Sequence, residues 1–208
     1  MEGLMQYWPL LVSRFISVAE RNHSDVEIVS MLPEGGKLRT NYGAVAKRSK
    51  KVAQALSNLG VQPGDRVGTL AWNTHRHLEI WFGASGMGAV THTINPRLFP
   101  EQLVYIINHA EDTVLFFDLS FVSLVQDIAS QLKTVQHFVV MVSPEHMPDQ
   151  TYMTSLCYEN LLNAEDGNYH WPEFDENTAS SLCYTSGTTG DPKGVLYSHR
   201  SNYLHTMS

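Results

Sequence analysis

Short apolar runs alternate with amphipathic segments between residues 60 and 143, and this alternation constrains the fold more than any other feature. The predicted strands are RVGTLAW (66–72), AVTHTIN (89–95), TVLFFD (113–118) and HFVVMV (137–142). Helices are predicted between them, over about 77–86, 100–110 and 121–132. Strands that are apolar along their length and alternate with helices are typical of a parallel sheet covered on both faces. The sequence therefore predicts an α/β fold of mostly parallel sheets flanked by helices.

The residues that precede this alternation predict a helix followed by a hairpin. Leu11, Phe15 and Val18 recur at helical spacing and form one apolar face. The runs DVEIVSML (25–32) and KLR (37–39) flank a glycine-containing turn, which is typical of two strands joined by a hairpin.

A long amphipathic helix is predicted next, with Thr40 or Asn41 as its N-cap and Gly60 just past its end. Its basic run KRSKK (47–51) is interpreted as a solvated helix face rather than a nucleic-acid patch. The formal net charge of −7 also argues against a general nucleic-acid binder, which usually presents a basic surface.

The cysteines and the N-terminal segment favour a cytoplasmic protein. Cys157 and Cys183 are too few for a disulfide framework and lack the spacing of a zinc site. We expect them to be unpaired thiols in a reducing compartment. The apolar patch near the N-terminus is interrupted by Arg14, so it predicts neither a signal peptide nor a membrane span.

The alternation pauses over about 143–178, a polar stretch with one predicted short helix near 158–162. Two further predicted strands, SSLCYT (180–185) and VLYS (195–198), then flank a loop rich in threonine and glycine. This arrangement predicts a strand–loop–strand hairpin that is followed by a helix.

The composition of this loop indicates polyphosphate binding. Phosphate groups need several converging donors, a backbone that can approach closely and positive charge. We expect hydroxyl donors, glycines with φ > 0 and one cation to meet these needs. The predicted nucleotide-binding residues are Thr185, Ser186, Gly187, Thr188, Thr189, Gly190, Asp191, Pro192 and Lys193, with Gly194 as a third flexible glycine.

Other phosphate-loop patterns do not fit this segment. The Walker pattern requires glycine before its lysine and a hydroxyl residue after it, where this chain has Pro192 and Gly194. The dinucleotide pattern fails because the glycines are three and four residues apart. A flexible surface linker rarely lies between two apolar strands.

The segment from Thr185 to Gly194 resembles the [ST]SG[ST]TGxPKG loop of the adenylate-forming, AMP-binding superfamily, and matches it without a gap. The stretches 60–73, 86–112 and 197–205 resemble the fatty acyl-CoA ligase branch of that superfamily. Within the branch, the block NPRLFPEQLVYIINHAED (95–112) is similar to ligases for medium-chain acids or 3-methylmercaptopropionate.

The resemblance implies an AMP-forming acid–CoA ligase. A carboxylic acid reacts with ATP to give an acyl-AMP and pyrophosphate, and coenzyme A then displaces AMP. By the same resemblance, the Thr185 hydroxyl binds Mg²⁺, residues 186–193 surround the polyphosphate, and Lys193 counters its charge. The implied cofactors are ATP, Mg²⁺ and coenzyme A, and the implied assembly is a homodimer.

The family's later elements are absent from residues 1–208, including its second adenine motif and its late lysine. We therefore expect 1–208 to be the N-terminal portion of the large AMP-binding domain, with no catalytic residue of its own. One alternative stays open at this point, namely a noncatalytic nucleotide-binding or dimerisation module. A phosphate-transferring NTPase of Walker type is disfavoured by Pro192 and Gly194.

Several other polar residues were weighed as site candidates. His75 and His77 have the spacing of two metal ligands but lack a supporting carboxylate or cysteine, so a polar helix start is favoured. His199 is interpreted either as a neighbour of the nucleotide or as a cap for the following helix. Asp191 is expected to influence loop conformation rather than to contact the phosphates directly.

Overall fold

The computed structural model describes residues 1, 3–5, 7–149, 153–185 and 191–208. The helices are α1 (Ser13–Asn22), α2 (Tyr42–Asn58), α3 (His75–Gly86), α4 (Pro100–Ala110), α5 (Val122–Ile128), α6 (Tyr158–Asn163) and α7 (His199–Met207). The strands are β1 (Glu27–Met31), β2 (Lys37–Asn41), β3 (Arg66–Leu70), β4 (Val90–Thr93), β5 (Asp112–Phe117), β6 (His137–Val140), β7 (Leu156–Cys157), β8 (Ala179–Thr185) and β9 (Lys193–Ser198).

Within the described residues, seven strands form one sheet in the order β7-β6-β5-β3-β4-β8-β9. Neighbouring strands from β7 to β8 run parallel, whereas β9 pairs with β8 in the antiparallel sense. Strands β1 and β2 form a separate antiparallel hairpin. The predicted α/β class and mostly parallel sheet are therefore confirmed.

Two apolar cores cover the two faces of this sheet. Strand β5 shows the division, since Val114 and Phe116 pack with α2, α3 and α6, while Leu115 and Phe117 pack with α4 and α5. Because successive side chains of a strand point to opposite faces, a strand between two helical layers must be apolar at every position. This explains the continuous apolar runs in the sequence.

Local signals explain where several helices begin and end. The Asn41 side chain accepts a hydrogen bond from the Ala44 N–H at 2.8 Å, so Asn41 is the N-cap of α2. Gly60 follows α2 with φ of 87°, a conformation that favours glycine. Pro100 opens α4, where its missing N–H costs no helical hydrogen bond.

A network of buried charges joins α2, α3 and α6. Glu79 on α3 has a fully buried side chain and accepts hydrogen bonds from the Arg48 Nε and the Tyr158 hydroxyl, both at 2.7 Å. Arg48 also contacts Glu159, which in turn accepts a hydrogen bond from the Arg76 Nε at 3.1 Å. The prediction that the basic run of α2 is a solvated face is therefore wrong for Arg48.

Candidate functional site

Strands β8 and β9, which flank the predicted loop in the sequence, form an antiparallel pair at one edge of the sheet. Tyr184 pairs with Gly194, and Thr185 pairs with Lys193 as the last pair of the ladder. The two predicted strands on either side of the loop are confirmed as an antiparallel pair. Of the predicted nucleotide-binding residues, Ser186, Gly187, Thr188, Thr189 and Gly190 lie outside the described residues.

The described members of the predicted site lie at the loop end of this hairpin. Thr185 and Lys193 are both exposed, and the Thr185 hydroxyl donates to the Lys193 carbonyl across the hairpin at 3.4 Å. Asp191 is exposed in a bend, whereas Pro192 is buried. In the described part of the chain, no carboxylate lies within ion-pair distance of the Lys193 ammonium group.

Gly194 differs from its sequence-based expectation. It lies in β9 and does not have the positive φ that was predicted for it. A Cβ atom at this position would lie 3.2 Å from both the Leu182 Cδ1 and the Tyr184 Cζ. The missing side chain therefore makes room for the Tyr184 ring rather than for an unusual backbone conformation.

A cavity of about 500 Å³ lies beside the hairpin, at the carboxyl ends of the neighbouring parallel strands. Trp72 and Asn73 line it after β3, while residues 94–97 line it after β4. Cys183 and Tyr184 close it on the side of β8. A cavity of this size is within the range of small-molecule sites.

The position of this cavity follows from the topology of the sheet. Strands β4 and β5, which come after β3 in the chain, pair with opposite edges of β3. Their connecting helices α3 and α4 consequently pack on opposite faces. In open α/β sheets, a crevice forms at such a switch point and is the usual place for a ligand.

Buried polar groups support the walls of this crevice. The Asp118 carboxylate follows β5 and accepts a hydrogen bond from the Trp72 N–H at 2.6 Å. Burial raises the pKa of Asp118 to about 6. His77 lies on the wall, with its Nε2 at 3.1 Å from the Thr69 hydroxyl, and burial lowers its pKa, which favours the neutral ring.

The cavity residues were missed as site residues in the sequence analysis. Trp72, Asn73 and 94–97 lie at or just after the carboxyl ends of predicted strands, so the rule that ligands bind at the carboxyl ends of parallel strands was the available signal. That rule gives a site only when the strand order is known, because a switch point is a property of the order.

The candidate histidines His75 and His199 lie at a helix start and in the protein interior, respectively. His75 begins α3, as the favoured interpretation required, and burial lowers its pKa to about 3. His199 is fully buried, with its Nδ1 at 3.3 Å from the Val12 N–H, and burial lowers its pKa to about 4. The capping interpretation of His199 is wrong, since Ser198 is the N-cap of α7.

The described residues offer no arrangement typical of a metal site or of a membrane-spanning helix. Among the described residues, no group of three or more His, Cys, Asp or Glu side chains has the arrangement of a metal site. In the same ranges, no helix is both long and apolar enough to cross a membrane. Cys157 and Cys183 are unpaired, in agreement with the sequence-based expectation.

A sequence model of the family described as AMP-binding enzyme matches residues 15–208, which is nearly the whole chain. This chain belongs to the AMP-binding enzyme family. The resemblance noted for the segment from Thr185 to Gly194 is thus confirmed at the level of the family.

Curated relatives of this AMP-binding enzyme are acid–CoA ligases. A 3-methylmercaptopropionyl-CoA ligase of Ruegeria lacuscaerulensis is 56% identical over 208 residues, which are 100% of this chain and 39% of the relative. A medium-chain-fatty-acid–CoA ligase of Ectopseudomonas oleovorans is 46% identical over 208 residues, again 100% of this chain and 38% of the relative. The chain therefore spans about two fifths of the length of these relatives.

Solved structures of AMP-binding enzymes share this fold. An anthranilate CoA ligase in complex with anthranoyl-AMP superposes with a TM-score of 0.79 and 25% identity, over 92% of this chain and 36% of that one. A fatty acyl CoA synthetase of Mycobacterium tuberculosis superposes with a TM-score of 0.74 and 21% identity, over 91% of this chain and 35% of that one. The second likeness supports the fold alone.

Proposed function

We propose that residues 1–208 are the N-terminal portion of the large AMP-binding domain of an ATP-dependent acid–CoA ligase of the AMP-forming type. The proposal depends mainly on one observation. The hairpin that carries the family's loop sequence ends at the exposed pair Thr185 and Lys193, beside the switch-point cavity. The names of the curated relatives support the same activity.

The proposed reaction has two steps. The carboxylate of the acid attacks the α-phosphorus of ATP, forming a mixed anhydride, acyl-AMP, and releasing pyrophosphate. The thiol of coenzyme A then attacks the acyl carbon, which forms the thioester and releases AMP. Phosphoryl and adenylyl transfer depend mainly on positioning and charge neutralisation, so few side chains need to react covalently.

In this proposal, Lys193 binds the β- and γ-phosphates and offsets charge as pyrophosphate leaves. A lysine ammonium group suits this role because it is a compact point charge on a flexible stem. Its exposure and the absence of an ion pair with any described residue leave it free to contact a ligand. Ser186 to Gly190 are proposed to surround the polyphosphate.

Mg²⁺ is proposed to bind together with the phosphates. Such an ion usually keeps several waters and takes few protein ligands beside the phosphate oxygens. The exposed Thr185 hydroxyl fits as one oxygen ligand, since its hydrogen bond to the Lys193 carbonyl is long at 3.4 Å and leaves its lone pairs free. Bound there, the ion would supply neutralisation of phosphate charge.

The proposed acid is a short- to medium-chain fatty acid or a compound similar to 3-methylmercaptopropionate. The names of the two curated relatives support this class. We further propose a cytoplasmic homodimer that acts in fatty acid metabolism. The two unpaired cysteines agree with a reducing compartment, and the resemblance to the fatty acyl-CoA ligase branch supports the dimer.

ATP–pyrophosphate exchange by the full-length protein tests this proposal. The acid panel contains 3-methylmercaptopropionate, butyrate, octanoate, palmitate and benzoate. Exchange that requires one of these acids supports the ligase. Phosphate release without any acid would instead show a nucleotide phosphatase, and no exchange by a folded full-length protein would leave the noncatalytic nucleotide-binding or dimerisation module.

A further inference from the structure

Tyr184 lies in β8 one residue before its end and packs against neighbouring elements of the molecule. Its ring lies on the face of the sheet that α4 covers, beside Leu182 and Ala110. In the ladder it belongs to the pair that immediately precedes Thr185 and Lys193. The position of Tyr184 therefore affects where both of these site residues project.

The hydroxyl of Tyr184 is hydrogen-bonded to His109 on helix α4. It lies 2.6 Å from the Nδ1 of His109, which is hydrogen-bond distance. Burial, followed by the nearby Asp112 carboxylate, raises the pKa of Tyr184 to about 12, so the hydroxyl keeps its proton at neutral pH. The His109 ring is itself stacked on Tyr105, with ring centroids 5.4 Å apart.

The ring of Tyr184 is also enclosed by its neighbours in the sheet. Its centroid lies 5.2 Å from that of His92, whose Nδ1 is 2.7 Å from a buried carboxylate oxygen of Asp112. On the other side, Gly194 makes room for the ring, since a Cβ there would lie 3.4 Å from the Tyr184 hydroxyl. Contacts on several sides and one hydrogen bond thus fix the ring.

We infer that Tyr184 is a positioning residue of the proposed ATP site and that His109 on α4 is its partner. Together they hold the Tyr184–Gly194 pair, and with it Thr185 and Lys193, in the position from which the side chains meet the phosphates. Neither side chain contacts the phosphates in this inference. It rests on the proposed function for its kinetic part, whereas its structural part can be tested without nucleotide.

The first test uses Tyr184→Phe in the full-length protein. This change keeps the ring and removes the hydroxyl. We expect KM for ATP to rise about tenfold, with kcat changed by less than about twofold, because one hydrogen bond that positions the binding residues is lost. Tyr197→Phe is the matched control, since Tyr197 lies in the same hairpin, is 43% exposed and lies away from α4.

The second test measures whether the two residues act as a pair. His109→Phe keeps an aromatic ring against Tyr105 but removes the Nδ1 atom to which the Tyr184 hydroxyl is hydrogen-bonded. We expect it to raise KM for ATP about as much as Tyr184→Phe does, and the double variant to be no worse than either single one. Losses that add in the double variant would overturn the pairing.

The third test is independent of the enzymatic activity. In nucleotide-free protein, amide hydrogen exchange at Thr185, Lys193 and Gly194 should become about tenfold faster in Tyr184→Phe and in His109→Phe, but not in Tyr197→Phe. Gly194→Ala should change exchange in the same direction but by less, because its Cβ would lie 3.2 Å from the Tyr184 Cζ and requires the ring to shift by only a small distance. Unchanged exchange in all these variants overturns the inference, while faster exchange in a protein without acid-dependent activity would overturn only the proposed function.

Discussion

The charges of this molecule are used in two contrasting ways. In the network between α2, α3 and α6, the side chain of Glu79 is fully buried and satisfied by Arg48 and Tyr158. At the loop end of the β8–β9 hairpin, Lys193 is exposed and has no ion pair with any described residue. The Glu79 side chain is used in contacts that stabilise the fold, whereas the Lys193 ammonium group remains available for a ligand.

The difference shows that a perturbed pKa does not by itself mark a functional site. Burial raises the pKa of Glu79 to about 7. The Arg48 guanidinium acts in the opposite direction, because it stabilises the carboxylate, but its effect is smaller. Perturbed groups concentrate at functional sites, but buried structural ion pairs perturb pKa values for the same physical reasons. In this protein the available cation, its position on the hairpin and the adjacent cavity indicate the candidate site.

Removing the buried carboxylate should have the largest effect on stability. Glu79→Ala leaves Arg48 and the Tyr158 hydroxyl without their shared partner in the interior. We expect the free energy of unfolding to fall by about 3–5 kcal/mol, which is typical when one member of a buried pair is lost. Chemical denaturation measures this change.

The control for this variant is an ion pair at the surface. Glu27→Ala breaks the exposed contact with Arg39, in which the side chains are 52% and 65% exposed. Its cost should stay below about 1 kcal/mol, as for most exposed pairs. Equal losses in the two variants would remove the distinction between the network and a surface ion pair.

The exposed lysine should show the opposite pattern. Lys193→Ala should lower acid-dependent ATP–pyrophosphate exchange by about 100-fold, or about 2.7 kcal/mol, since a group that stabilises developing charge is lost. The free energy of unfolding should change by less than about 0.5 kcal/mol, because the side chain is exposed and makes no ion pair with any described residue. Lys37→Ala is the control, as Lys37 is exposed at the start of a strand in another hairpin. Unchanged exchange in Lys193→Ala would exclude this lysine from the mechanism.

The pH dependence of stability at Glu79 should give the smallest of these changes in free energy. The folded-state pKa of Glu79 lies above its ordinary value of 4.5, at about 7, so the folded protein binds this proton more tightly than the unfolded chain does. Its contribution to stability is therefore complete below pH 4.5 and is lost as pH rises through 7. We expect the difference in unfolding free energy between wild type and Glu79→Gln to fall by about 2 kcal/mol from pH 5 to pH 8. A difference that stays constant or rises over this range contradicts the raised pKa.

Much of the local structure could be predicted from residues that are close together in the sequence. The cap at Asn41, the stop at Gly60 and the proline at the start of α4 are all local signals, and each was confirmed. The strands of the central sheet were also predictable, because burial on both faces requires apolar residues at every position. The short strand β7 was missed, since Leu156 and Cys157 are too few to give a periodic pattern.

Residues whose roles depend on distant partners were not predictable in the same way. Arg48 lies in a basic run that is typical of a solvated surface, yet Glu79 is 31 positions away in the sequence and Glu159 is 111 positions away. Gly194 was expected to provide a flexible backbone, but its role depends on the Tyr184 ring across the ladder. In both cases the deciding neighbour comes from another element.

The sequence by itself determined the layered α/β class, the hairpin around the loop and the chemical character of that loop, because each depends on the order of side chains along one segment. Only the tertiary structure decided the strand order, and with it the cavity at the switch point and the contact of Tyr184 with His109. The physical reason is that packing against a common core, rather than local propensity, brings these separate segments together.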